Sequence, residues 1–277
     1  MRKTFFDIIE NMEFDVYQEY KTLLQLFTKE NIVLDRYYYT PAEYINENYF
    51  RELKLRGTFL SLYDFMNAYE LNVASDDLND LFILCEFLIA ILFDENLVYN
   101  TSLSEARRIT KANINVILEK TNHKLVDISQ DDNKKLIIVE NNKAATLASE
   151  ISDDMSVSFD ILEYNHYALK GDLGKKKKIL ASIGLYIEPI LKSKVLQNSG
   201  YKQLESDAGF VFNNFHIRHN NKEGAKAQDY IVKLTDAELE EWYDKAYDIA
   251  IAVIIMSEHL KVETEISELK SKYAWKF

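Results

Sequence analysis

The sequence has few of the residues that make tight turns. It holds seven glycines and two prolines in 277 residues, against average usages of about 7% and 5%. A multi-stranded sandwich or barrel needs a turn every 8–12 residues or so, so that architecture is excluded. The glycine loops G-x-G-x-x-G and G-x-x-x-x-G-K-[ST] are absent, which excludes the common phosphate-cradling nucleotide enzymes. So are G-x-S-x-G, H-E-x-x-H and the kinase HRD and DFG strings. A single cysteine, Cys85, excludes an internal disulfide framework and any multi-cysteine zinc or iron–sulfur site. Cys85 lies in an apolar run and reads as a buried, inert thiol. Asp7 follows the first residues at once, so no secretory signal region is read there. The longest apolar stretch, residues 81–93, is interrupted by Glu86. It would span about 20 Å as a helix, short of the roughly 30 Å hydrocarbon core of a membrane. A buried helix is expected there, in a cytoplasmic protein with no membrane partner.

What is present points to long helices. Apolar residues make up 47% of the chain and aromatics 13%, enough for a sizeable core and too many for long-range disorder. The net charge of −12 is uneven. Residues 1–123 carry 12 cations against 20 anions, residues 124–200 carry 11 of each, and residues 201–277 carry 10 against 14. Global acidity argues against a non-specific nucleic-acid coat, because phosphate binding needs clustered cations. The acidic first part suits a protein regulator better. The only basic run is Lys175, Lys176, Lys177 and Lys178, readable as a solvated helix face or as a local phosphate contact.

Apolar spacing at three and four through Ile9, Met12, Val16, Tyr20, Leu23 and Phe27 predicts a first amphipathic helix. Capping boxes open three others: Thr40 with Glu43, Ser102 with Glu105, and Thr235 with Glu238. Gly57 is expected to end the second helix, and Ser75-Asp76-Asp77 to open the apolar one. Two β-rich runs, 124–129 and 136–140, flank a polar turn and predict a hairpin. Further helices are expected over 143–151, 154–170, 175–197, 202–218 and from 235 to about 260. The long one should bend at Gly184 and Pro189. The expectation is an all-α, multi-helix bundle with one short peripheral β-hairpin near residues 124–141. It divides into an N-terminal helical domain (1–123), the hairpin join (124–141) and a second helical domain (142–277).

Few side-chain groups suggest chemistry. Glu163 and His166 are three apart, the spacing of di-iron bundles, but no second such pair exists. No metal site and no cofactor are expected. The densest polar string is Asn213-Asn214-Phe215-His216-Ile217-Arg218-His219-Asn220-Asn221. It closes a helix whose apolar stripe is Leu204, Ala208, Val211 and Phe215, which aims Arg218 at a seam between helices. An arginine there needs an acceptor. Helix capping plus an ion pair is one reading. The other is a site where Arg218 holds a phosphate and a neighbouring histidine moves a proton.

A long helix with a mid-helix glutamate (Glu188), a second helix ending in Ile217-Arg218-His219-Asn220-Asn221, a loop and a final amphipathic helix together resemble the HEPN superfamily (higher eukaryotes and prokaryotes nucleotide-binding). The similarity is greatest to its bacterial abortive-infection branch and covers about residues 142–262. The resemblance implies a metal-independent ribonuclease on an all-α bundle, acting in phage defence or as a toxin, and a homodimer with both arginines facing one cleft. Arg218 matches the motif arginine, and Asn220 the polar residue near it. The family spacing of arginine, four to six residues, histidine meets Glu223, Gly224 and Ala225 instead. The histidine role then passes to His219 first and His216 second. Asn214, Asn220, Asn221 and Lys175–Lys178 would contact RNA. The competing implication is a HEPN-like interaction or nucleotide-sensing module without catalysis.

Overall fold

The computed structural model describes residues 14–30, 32–34, 37–129, 135–219 and 229–273. Expectations for Ile9, Met12, Asn220, Asn221 and the centre of the 130–135 turn lie outside the described residues. The fold is all-α with short two-stranded ribbons. It divides into two compact units, Met1–Ile138 and Val139–Phe277.

In the first unit, α1 (Val16–Thr28) is capped by Asp15, whose carboxylate accepts from Gln18 N–H at 3.1 Å. A short antiparallel ribbon follows, β1 (Ile32–Leu34) with β2 (Tyr37–Tyr39). This second ribbon was not expected from the sequence: each strand has three residues, too few to show a period. Helix α2 (Pro41–Asn48) carries the Thr40–Glu43 capping box. It ends well before Gly57, because two 3₁₀ turns, Phe50–Glu52 and Lys54–Arg56, intervene. Helix α3 (Leu62–Ala68) precedes α4 (Leu78–Leu92), which is buried on nearly every side, as an all-round apolar helix must be. Burial pushes the Cys85 thiol far up, so it stays protonated. Glu86, the one charge in that run, accepts from the backbone N–H of Ile138 at 2.7 Å. Helix α5 (Ser104–Lys120) lacks the expected Ser102–Glu105 box. A 3₁₀ turn, Thr101–Leu103, is capped by Asn100 instead, and Glu105 binds Arg108. Strands β3 (His123–Asp127) and β4 (Leu136–Glu140) pair as the expected hairpin.

In the second unit, Val139 and Glu140 at the end of β4 bond to the segment at Asn165–His166. Helix α6 (Lys143–Ile151) and α7 (Met155–Glu163) form a hairpin of helices. The chain then leaves the helical path and makes a 3₁₀ turn, Tyr167–Leu169, with His166 as its cap. Glu163 and His166 therefore do not share a helix face, and the di-iron spacing has no structural counterpart. Helix α8 (Leu173–Ser193) continues as one helix through Gly184 and Pro189. The carbonyl that loses its donor belongs to Leu185, on the exposed side, where water can replace it. A left-handed residue, Lys194 (φ 57°), stops the helix earlier than expected, and α9 (Val195–Asn198) adds one turn. Helix α10 (Lys202–Asn214) ends four residues short of 218. After α11 (Asp229–Val232) comes α12 (Asp236–Lys272), opened by the Thr235–Glu238 box. One apolar core joins α6, α7, α8, α10 and α12.

Candidate functional site

The polar string at the end of α10 is built by a change of backbone direction. Phe215 N–H still donates to Val211 O at 3.0 Å, but His216 takes a left-handed conformation (φ 60°) and the helix stops. Arg218 N–H returns to Phe212 O at 3.2 Å and closes the turn. Phe215 and Ile217 are buried; His216 and Arg218, which alternate with them, are half-buried. The anchor is aromatic: Phe215 stacks on Trp242 of α12, with centroids 4.1 Å apart, and meets Tyr230 edge-on. The amides of Asn213 and Asn214 donate back to Gly209 O and Phe210 O, both at 2.8 Å. Both asparagines thus help finish the helix.

Opposite this segment, α8 presents Lys177, Gly184 and Glu188, at i, i+7 and i+11, on one face. Gly184 lets Phe212 come close. Lys177 Nζ lies 3.0 Å from His216 Nε2. An ammonium only donates, so the contact requires an unprotonated Nε2. Arg218 Nη2 donates to Glu188 Oε2, and Lys192 Nζ sits 2.7 Å from Glu188 Oε1. The Lys192 hydrogen bond and the Arg218 charge hold the Glu188 carboxyl below the usual carboxylate range. The group of one acid between two cations keeps a net positive charge. Arg218 and Glu188 are each about one-quarter exposed, so solvent reaches the pair. His219, next in the chain, is exposed.

The basic run splits. Lys175 and Lys178 face solvent. Lys176 points inward, with its ammonium 2.9 Å from Glu240 and 2.7 Å from Asp244, and 5.2 Å above the Tyr164 ring. It cannot guide a strand from there. It belongs to a buried polar cluster that the sequence reading missed. Tyr164 Oη donates to Asp244 at 2.9 Å and its ring stacks on Tyr247; Tyr247 Oη donates to Ile161 O at 2.7 Å. Burial pushes the Tyr164 hydroxyl up, and Asp244 pushes it further. Burial also opposes the charge on Glu240, but the Gly171 N–H and Lys176 outweigh it and leave that carboxyl below its usual value. The signal existed: Lys176 lies three and seven residues before Ile179 and Ile183, on their buried stripe.

Among the described residues no group of three or more His, Cys, Asp or Glu could hold a metal ion. No helix among them is long and apolar enough to cross a membrane. Comparisons of the chain with protein-family models, curated proteins and solved structures return no match.

Proposed function

We propose that the second unit is a HEPN-type, metal-independent RNA-cleaving unit of a phage-defence or toxin-like protein. One observation carries the reading. Arg218 and Glu188, 30 residues apart in sequence, meet at a solvent-reached seam with a net positive charge, and His216 and His219 lie within two residues of Arg218 in the chain. Glu188 orients the guanidinium, and Arg218 stabilises the charge that develops on phosphorus. His219 takes the proton of the ribose 2′-hydroxyl or returns one to the leaving 5′-oxygen. The 2′-oxygen attacks phosphorus, the P–O5′ bond breaks, and a 2′,3′-cyclic phosphate results. No water or metal enters the step. His216, held by Lys177, is the second candidate for proton transfer. Lys175 and Lys178 guide the strand. The acidic first unit takes a protein regulator.

The test is incubation of the purified full chain with end-labelled single-stranded RNA in a chelator. Cleavage with cyclic phosphate ends is expected, lost in Arg218→Ala without loss of fold. A second reading, a helical interaction or nucleotide-sensing module, is favoured by the same ion pair, since Glu188 already satisfies Arg218. Absence of cleavage, together with a destabilised Arg218→Ala, would select that module.

A further inference from the structure

The last helix outlasts the core it packs on. In α12 the buried positions stop at Leu260, yet the helix continues to Lys272. Every residue from 261 to 273 is exposed. The overhang is about 18 Å long at 1.5 Å per residue. It is not a plain polar tail. Val262, Ile266, Leu269 and Tyr273 are 45%, 47%, 56% and 70% exposed. Their steps of four, three and four place them on one stripe, with the spacing of a coiled-coil seam. Thr264, Ser267, Glu268 and Ser271 occupy the opposite face. Single exposed apolar residues are ordinary, but four in a line call for a cover.

The charges beside the stripe say what covers it. Glu263 and Glu265 flank its first half; Lys270 and Lys272 flank its second. A helix acidic in one half and basic in the other complements itself when turned end for end. In an antiparallel pair, Ile266 meets Leu269 and Val262 meets Tyr273 of the second copy. Glu263 then faces Lys270, and Glu265 faces Lys272, each twice by two-fold symmetry. A parallel pair does worse: it sets Glu265 against Lys270 but also Glu258 against Glu263, two like charges.

We propose that residues 261–273 are a docking surface for a second copy of this chain, joined as a short antiparallel coiled coil. The inference rests on the last helix alone and holds whatever the second unit does to RNA. Four apolar layers make a small seam, so the dimer is weak and depends on its ion pairs. High salt loosens it.

Sedimentation of the full chain tests this. Wild type should shift from monomer to dimer as concentration rises through roughly tens of micromolar at about 50 mM salt, and less at about 500 mM. Ile266→Asp should stay monomeric throughout. Glu263→Lys with Glu265→Lys, and Lys270→Glu with Lys272→Glu, should each be monomeric alone and dimerise when mixed. These residues lie outside the core, so thermal transitions should match wild type and confirm folding. Orientation is read from Glu263→Cys and Lys270→Cys chains mixed under oxidation, which should cross-link to each other. A wild type that stays monomeric, a dimer indifferent to Ile266→Asp and to charge reversal, or cross-links only between like positions would each overturn the proposal.

Discussion

Phe212 lies so close over Gly184 that a Cβ built at 184 would sit 2.7 Å from the ring's Cδ1. The glycine therefore sets the approach of α10 to α8. It holds Arg218 within reach of Glu188 and His216 within reach of Lys177. Gly184→Ala gains about 1 kcal/mol in helix propensity but overpacks a buried contact, which costs about 1–3 kcal/mol. Phe212 is 2% exposed and cannot swing away, so the clash wins. Urea unfolding should show a net loss of stability, and Phe212→Leu added to Gly184→Ala should restore most of it. An unchanged midpoint in the single variant would show that the two helices separate freely.

Lys176 supplies a second stability test. Its ammonium is buried between Glu240 and Asp244. Removing one member of a buried ion pair costs about 3–5 kcal/mol, because the partner is left uncompensated. Asp244 is half exposed and will recover some hydration, so Lys176→Ala should fall at the low end of that range. Lys175→Ala and Lys178→Ala, on exposed positions, should leave the unfolding midpoint alone. Equal stability of all three variants would sink the assignment of Lys176 to the core.

Asp160 gives a pH dependence. Burial raises its carboxyl pKa despite a hydrogen bond from Ser182, and Glu163 and Asp154 add to the rise. It also sits near the C-terminus of α7, where a negative charge opposes the helix dipole. A carboxyl whose folded pKa exceeds its unfolded value, about 3.9, destabilises the fold once ionised. The penalty is complete above the folded pKa and absent below the unfolded one. Asp160→Asn keeps an acceptor for Ser182 and should raise the urea midpoint at pH 7. The gain should vanish by about pH 3.5. An equal gain at both pH values would assign it to something other than ionisation.

The pattern of what was legible follows from range. The Thr40–Glu43 and Thr235–Glu238 boxes are local, and both formed as read. Ser102 with Glu105 has the same letters, but Asn100 two residues earlier takes the capping role. Three-residue strands such as Ile32–Leu34 carry no periodic signal. Pro189 interrupts the hydrogen-bond ladder of α8 without ending the helix, which packs along α12. At the site, the need of Arg218 for an acceptor was readable, but the helical spacing that aimed it at the seam stops at Asn214, and the left-handed turn at His216 brings it there instead. That the acceptor is Glu188, and that Lys177 rather than Lys176 meets His216, depends on which helices pack together.

Arg218 and Glu188 also separate the two functional readings by kinetics. Arg218 is the only arginine after Arg108, so the second unit has no substitute for a planar, permanently charged clamp. If it holds the transferring phosphate, Arg218→Ala should lower kcat about 10²–10³-fold, the usual effect of removing one preorganised donor. Arg218→Lys keeps the charge but not the fork, and should recover only part of that loss. Glu188→Gln removes an anion that competes with the substrate phosphate while leaving an oxygen to orient the guanidinium. It should lower KM with little change in kcat, whereas Glu188→Ala, which frees the arginine, should lower kcat. His219→Ala should resemble Arg218→Ala, with His216→Ala mild. An interaction module forecasts something else for the same set: Arg218→Ala and Glu188→Ala lose stability together, each leaving its partner uncompensated, and no variant changes any RNA. Steady-state cleavage and urea unfolding on one set of proteins decide between them.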